Sequence, residues 1–186
     1  MSKQVWKPGT MVYPLPAVMV SCGDMEKSNI ITVAWTGTIC TDPAMVYISV
    51  RPERYSYNMI KETGEFVINL TTKELAKKTD FAGVRSGRDL DKFDKLKLTK
   101  EKASKVKAPL IKESPVNIEC KVLEIKELGS HHMFIAKVLA VDVDEKYLDE
   151  KGKFCLEKAN LITYSHGEYY EQGKNIGKFG FSVKKK

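Results

Sequence analysis

Apolar and polar positions alternate most regularly in 116–122, where Val116, Ile118, Cys120 and Val122 are separated by Asn117, Glu119 and Lys121. Period two marks a strand with one buried face. The alternation then changes phase, with Leu123, Ile125 and, after a second slip, Leu128 as the apolar positions. A bulge or sharp coil near Val122 and Leu123 accounts for this, a device by which barrels turn corners. Gly129 and Ser130 turn the chain, and 131–143 runs back with both faces largely apolar.

Shorter apolar, β-prone runs precede this pair at 17–22, 30–35, 45–50 and 65–70. A polar turn joins the first two as a hairpin, and 36–42 reads as a polar loop ended by Asp42-Pro43. Pro52 sits where a helix can start, 55–63 has helical spacing at Tyr55, Met59 and Ile60, and Gly64 stops it. Thr71 to Glu74 reads as a capping box opening a short helix over 73–79. The stretch 81–107 is irregular, a loop or broken helix. Tyr13-Pro14-Leu15-Pro16 is a rigid, extended entry. After a short apolar run at 161–164, 165–180 holds four glycines and three aromatic residues, which suggests a close-fitting loop. Two long strands after several short ones predict a mainly β fold, a closed or nearly closed antiparallel barrel with a few helices. No repeat or linker divides the chain, so 1–186 is expected to be a single domain.

Composition narrows the class. With 42% hydrophobic and 30% charged residues, the 186-residue chain is expected to fold around a core of its own. No apolar run approaches the ~20 residues of a membrane helix, and the N-terminus lacks the apolar core of a signal peptide. A cytoplasmic location and no membrane partner are expected. Cys22, Cys40, Cys120 and Cys155 form no CxxC pair, which argues against a metal site; three of them lie in apolar or alternating runs as buried thiols. The net charge of +7 includes the three lysines of 184–186, and 92–107 holds seven lysines. Without aromatic interleaving or a nucleic-acid motif, that run reads as a solvated basic face rather than a nucleic-acid site.

The candidate chemistry gathers in 28–58. The polar segment Thr36-Gly37-Thr38-Ile39-Cys40-Thr41-Asp42 lies between two strands, and the second leads into Ser49, Arg51, Arg54, Tyr55, Ser56 and Tyr57. Hydroxyls, a guanidinium and the free N–H groups of a helix start suit a phosphate. Threonine and glycine in a loop suit the polar edge of a flat ring. The bland alternatives are surface arginines, a solvated sheet face at Ser49 and a small buried residue at Cys40.

In order and spacing, several motifs resemble the flavin reductase-like proteins, the FMN-binding split-barrel group that includes flavoredoxin. They are Asn29 with Thr32-Val33-Ala34-Trp35-Thr36-Gly37, Asp42-Pro43, Ile48-Ser49-Val50-Arg51, Tyr55-Ser56, Phe66 to Leu70, Ser86-Gly87-Arg88-Asp89 with Asp91-Lys92-Phe93, and Gly129-Ser130-His131 with Phe134-Ile135. The chain departs from that pattern with Ala44 after Pro43, Ser130 in the turn before His131, and Ala136 in place of a glycine.

The resemblance implies an FMN-binding split β-barrel, Greek-key-like and antiparallel, working as a homodimer with non-covalent FMN near the subunit interface. It implies that Thr36, Gly37, Thr38 and Cys40 face the flavin ring. Ser49, Val50, Arg51, Tyr55 and Ser56 hold the phosphate side, and Ser86 and Lys92 lie near the flavin or phosphate. The implied activity is that of a flavin reductase taking electrons from NADH or NADPH as a transient substrate. No side-chain acid or base is required; His131 near the nicotinamide is the one catalytic candidate. The GxGxxG fingerprint of a Rossmann site is absent. The alternative is a flavoredoxin-like carrier that takes electrons from a protein redox partner, with the basic run steering that partner. His166, Tyr169 and Tyr170 on the glycine-rich tail either cover the flavin or a neighbouring subunit, or form an ordinary surface loop.

Overall fold

A computed structural model describes residues 1–183; the lysines 184–186 lie outside the described residues. In chain order the strands are β1 (Leu15–Pro16), β2 (Val18–Gly23), β3 (Ser28–Val33), β4 (Thr36–Thr41) and β5 (Ala44–Val50). Helix α1 (Tyr55–Thr63) leads into β6 (Glu65–Leu70), and a 3-10 turn then opens α2 (Ala76–Val84). After α3 (Lys92–Leu96) come the short strands β7 (Lys100–Glu101) and β8 (Leu110–Ile111) and the long hairpin of β9 (Val116–Leu128) and β10 (His131–Val143). A last hairpin, β11 (Ile162–Ser165) and β12 (Glu168–Glu171), pairs with β1.

Seven strands form one antiparallel sheet in the order β3-β2-β6-β9-β10-β5-β4. The sheet curls but its edge strands do not zip together, so the barrel is split rather than closed. Where the chain passes from β3 to β4, the Trp35 carbonyl accepts the Ser49 N–H at 2.8 Å. Strand β2 is buried on both faces, which explains its unbroken apolar run. Val18, Val20 and Cys22 join Ile48, Val50, Tyr57, Ile60, Phe66 and Phe134 inside the curl. Met19, on the other face, packs with Ile30, Leu75, Ala82 and Phe93 beneath α2 and α3. Burying each large apolar side chain is worth roughly 1.5–3 kcal/mol, so this shared strand ties the two clusters together.

The expected bulge lies at Leu123: Ile135 pairs with Glu124 and Ala136 with Val122, leaving Leu123 unpaired and exposed. The second slip differs from expectation. Residues 125–128 stay in register, Leu128 is exposed, and the second irregularity falls on Leu139 of β10.

Three other elements correct the sequence reading. The segment expected as a polar loop is the edge strand β4, paired through Thr36 with Ile48, Gly37 with Tyr47 and Thr38 with Val46. Its threonines are β-branched and suit a half-solvated strand. No capping box forms: the Thr71 hydroxyl donates to the Ala17 carbonyl, the Lys73 N–H donates to Asn160 O at 3.0 Å, and α2 continues past Thr79 to Val84. The first part of the glycine-rich segment is the β11–β12 hairpin rather than a loop. All four cysteines are free. No helix among the described residues is long and apolar enough to cross a membrane.

Candidate functional site

One groove runs between the β3 end of the sheet and the helices. Its inner part, cavity A, has a volume of about 300 Å³ and lies between the start of β3, the start of α1, the 85–88 loop and Lys92. Its outer part, cavity B, about 420 Å³, lies between 31–35, 49–51, α2, His131 and the β11–β12 hairpin. Ile31, Arg54, Gly83 and Val84 line both, so the two are continuous.

Cavity A is lined by four cationic side chains, Arg54, Arg85, Arg88 and Lys92, and one carboxylate, Glu53. Arg54 precedes α1 in extended conformation and gives no side-chain cap, and the first turn carries no acidic residue. The first N–H groups of α1 therefore lack a carboxylate or hydroxyl partner, the arrangement that attracts phosphate. Ser56, buried in that turn, accepts a hydrogen bond from the Asn29 side-chain amide at 2.8 Å. Gly87 closes over this pair. A Cβ at Gly87 would lie 2.2 Å from Asn29 Oδ1 and 2.8 Å from the Tyr55 ring, so only glycine permits the approach.

Lys92 forms the floor. It is 3% exposed, and its Nζ donates to the carbonyls of Ile30 at 2.7 Å and Ala82 at 2.6 Å. Burial, reinforced by repulsion from Arg54, brings its pKa down to about 8. Beneath it, burial pushes the Cys22 thiol up to about 11, so this cysteine is an inert core residue.

Cavity B is an aromatic slot. Trp35 and His131 stack with ring centroids 5.9 Å apart and planes 6° from parallel. Burial, and then Arg51, lowers the His131 pKa, which keeps the imidazole neutral at pH 7. The opposite wall holds Tyr164 and Tyr169, edge to face at 5.6 Å. Burial and then Asp80 push the Tyr169 hydroxyl up to about 12, so it remains a neutral donor. Gly83 brings α2 close to β3: a Cβ there would lie 3.1 Å from Thr32 Cβ.

The expected site residues divide into two groups. Tyr55, Ser56, Ser86 and Lys92 line cavity A, and Ser49, Val50, Arg51 and His131 line cavity B. Thr36, Gly37, Thr38 and Cys40 line neither. Thr36 is buried with its hydroxyl donating to Tyr47 O at 2.7 Å, Gly37 faces the Tyr47 ring, Thr38 is exposed, and the Cys40 thiol donates to Asp42 O at 3.4 Å. Residues 31–35, just before them in the chain, line cavity B. His131 and His132 point to opposite faces as strand geometry requires, His132 Nδ1 meeting the Tyr57 hydroxyl at 2.7 Å inside the barrel. His166 packs against Tyr13 with ring centroids 4.6 Å apart and planes tilted by 37°, while Tyr169 rather than Tyr170 faces the groove. Sequence reasoning also missed Arg85 and Arg88, which line cavity A from a segment without periodicity. Their signal was two arginines bracketing Ser86-Gly87. No group that would hold a metal ion occurs among the described residues.

The split antiparallel barrel is the fold of the flavin reductase-like split-barrel proteins. Residues 10–172 match the Flavin reductase like domain, and the chain belongs to that family. It is 36% identical over 165 residues to an uncharacterized protein of Archaeoglobus fulgidus, spanning 89% of this chain and 88% of that one. Among solved structures, the flavoredoxin of Desulfovibrio vulgaris superposes with a TM-score of 0.89 at 32% identity, covering 98% of this chain and 99% of that one. A flavoredoxin from Methanosarcina acetivorans gives 0.87 at 25% identity, covering 98% and 97%.

Proposed function

We propose that the groove holds non-covalent FMN and that the protein is a redox protein working through it, with NADH or NADPH as electron donor. The observation that carries the reading is the uncapped start of α1 set beside Ser56, Asn29, Arg54 and Lys92. This is a cradle for a phosphate monoester that opens directly onto a slot of planar side chains. In this reading the α1 N–H groups, Ser56 and the two cations bind the phosphate, and the backbone of 31–35 with Ser49 borders the ring. Bound flavin supplies the two-electron chemistry; the chain orients it, offers neutral donors and excludes water. The parallel Trp35–His131 pair walls the outer side of the slot, where a nicotinamide has to approach. Neutral His131 contributes a hydrogen-bonding group there rather than a charge.

Two further parts of the reading concern partners. Val5, Trp6, Met11 and Val12 in the N-terminal arm and Ile176, Phe179 and Phe181 in the tail are exposed, an apolar surface that a second copy covers in a homodimer. The second functional reading, an electron carrier, is favoured by the exposed lysines on and after α3 (Lys95, Lys97, Lys102, Lys105 and Lys107), which offer a basic docking face. Anaerobic titration of the FMN-loaded protein with NADH and NADPH separates the two: bleaching of the flavin absorbance identifies a reductase, and unchanged absorbance with both identifies a carrier.

A further inference from the structure

A third cavity lies away from the groove, at the opposite end of β10 from His131. Cavity C has a volume of about 580 Å³ and is bounded by 101–102, 110–114, the start of β9 and 142–145. It sits on the outer face of the sheet, since Ile118 and Cys120 turn into the barrel and Asn117 and Glu119 turn away from it. In a chain of net charge +7 its lining is acidic: Glu101, Asp142, Asp144 and Glu145 stand against Lys102 and Lys112.

Its floor presents two oxygen acceptors without donors. Asp142 Oδ2 is buried and makes no hydrogen bond. Asn117, 7% exposed, supplies the second, and its neighbours fix its orientation. Asn69 Oδ1 accepts the Ile111 N–H at 3.0 Å, so the Asn117 atom facing it at 2.7 Å is Nδ2, which also donates to Ile111 O at 3.0 Å. Both amide hydrogens are thereby spent, and the Asn117 carbonyl oxygen is left for the cavity that this residue lines. Asn117 and Asp142 are cross-strand partners, so one ligand group reaches both.

The negative charge at this floor has no counter-charge. Glu119, fully buried beside Asp142, is satisfied by N–H and hydroxyl donors of 104–106 alone. The ion pairs among the described residues include neither of the two carboxylates. Lys146 is taken by Asp144 at 2.7 Å, and Lys102 and Lys112 are exposed. A buried carboxylate is costly until a cation and N–H donors reach it. A metal ion needs three converging ligands, and no such group occurs among the described residues. We infer that cavity C binds a small guanidinium compound, whose planar set of N–H donors reaches Asp142 Oδ2 and Asn117 Oδ1 together while its charge balances the carboxylates.

The test is calorimetric titration of the full chain with agmatine, which carries a guanidinium, with cadaverine as its ammonium-only counterpart, and with calcium chloride. It is run above pH 7, where Asp142, pushed up to about 6, is ionised. Saturable binding of about one agmatine per chain is expected, weakened on the order of tenfold or more in Asp142→Asn. That variant removes the charge and keeps the shape, and a urea midpoint no lower than that of the unaltered protein reports its fold. Glu101→Gln, at the exposed rim, is a second variant, expected to weaken agmatine by about threefold. No saturable agmatine binding, an affinity unchanged in both variants, or cadaverine or calcium bound as tightly as agmatine overturns the site. None of these outcomes depends on flavin binding.

Discussion

The side-chain amide of Asn29 donates to the hydroxyl of Ser56 at 2.8 Å, joining the first strand of the groove to the first turn of α1. Both side chains are buried, and Gly87 covers the pair. The bond fixes where the open N–H groups of α1 point, so fold and candidate site meet at this contact.

Replacing Ser56 with alanine removes one phosphate partner and leaves a buried amide hydrogen unsatisfied. FMN affinity is expected to fall on the order of tenfold, and stability by about 1–2 kcal/mol. Fluorescence titration and urea unfolding measure the two effects separately. Unchanged FMN affinity in a folded variant places the phosphate elsewhere.

Lys92 gives the groove a pH dependence. Its pKa is lowered to about 8 by burial and then by Arg54, and a bound phosphate favours the protonated form. FMN affinity should therefore fall as pH rises through 8, by up to about tenfold per unit. Without ligand the sign for stability is opposite. Between about 8 and the ordinary lysine value, the unfolded chain holds a proton that the native chain has lost, so this group makes stability rise with pH. The Lys92→Met variant should show neither dependence; persistence of the affinity trend in that variant assigns it to another group.

A second titrating centre lies away from the groove. Glu119 is fully buried; its carboxylate accepts the N–H of Ser104, Lys105 and Val106 and the Ser104 hydroxyl at 2.6–3.0 Å. Burial pulls its pKa up, but the bonds from Ser104 and Lys105 hold it below the ordinary value. Asp142 beside it is pushed up to about 6 by burial and then by Glu119. From about pH 4 to 6 the native state holds the extra proton, so this group makes stability fall as pH rises through that window. Asp142→Asn should remove the fall and raise stability at pH 7 by about 1–2 kcal/mol. Urea midpoints at pH 4 and pH 7 check this; an equal loss of stability at both assigns Asp142 a purely structural role.

Homodimerisation makes a prediction of its own. Trp6 and Phe179 are 74% and 108% exposed, and large aromatic anchors carry much of the energy of an interface. Light scattering should give twice the chain mass, and Trp6→Ala/Phe179→Ala should weaken the dimer by at least about tenfold. A monomer at micromolar concentration contradicts the proposed partner.

Where local pattern and tertiary role agree, the sequence carried the structure. Helix α1, bounded by Pro52 and Gly64, spans the residues expected, and the bulge at Leu123 appears as a change of phase in the alternation. Strand β4 did not read as a strand, because one face of an edge strand meets water and its threonines resemble a loop. The Lys73 N–H at the start of the 3-10 turn before α2 is satisfied by Asn160, almost ninety residues away, which no local motif encodes. The candidate site divides the same way. Ser49, Arg51 and Ser56 were recognisable by type beside a helix start, whereas Arg85, Arg88 and Tyr169 reach the groove only because α2 and the last hairpin fold against β3. Thr36, Gly37, Thr38 and Cys40 belong to the edge strand β4, next along the chain from residues 31–35, which line cavity B.

The most direct test of the central claim is titration of FMN fluorescence with the purified, flavin-free protein. The expected result is quenching that saturates at about one FMN per chain and weakens in Ser56→Ala. FMN fluorescence unchanged by the unaltered protein contradicts it.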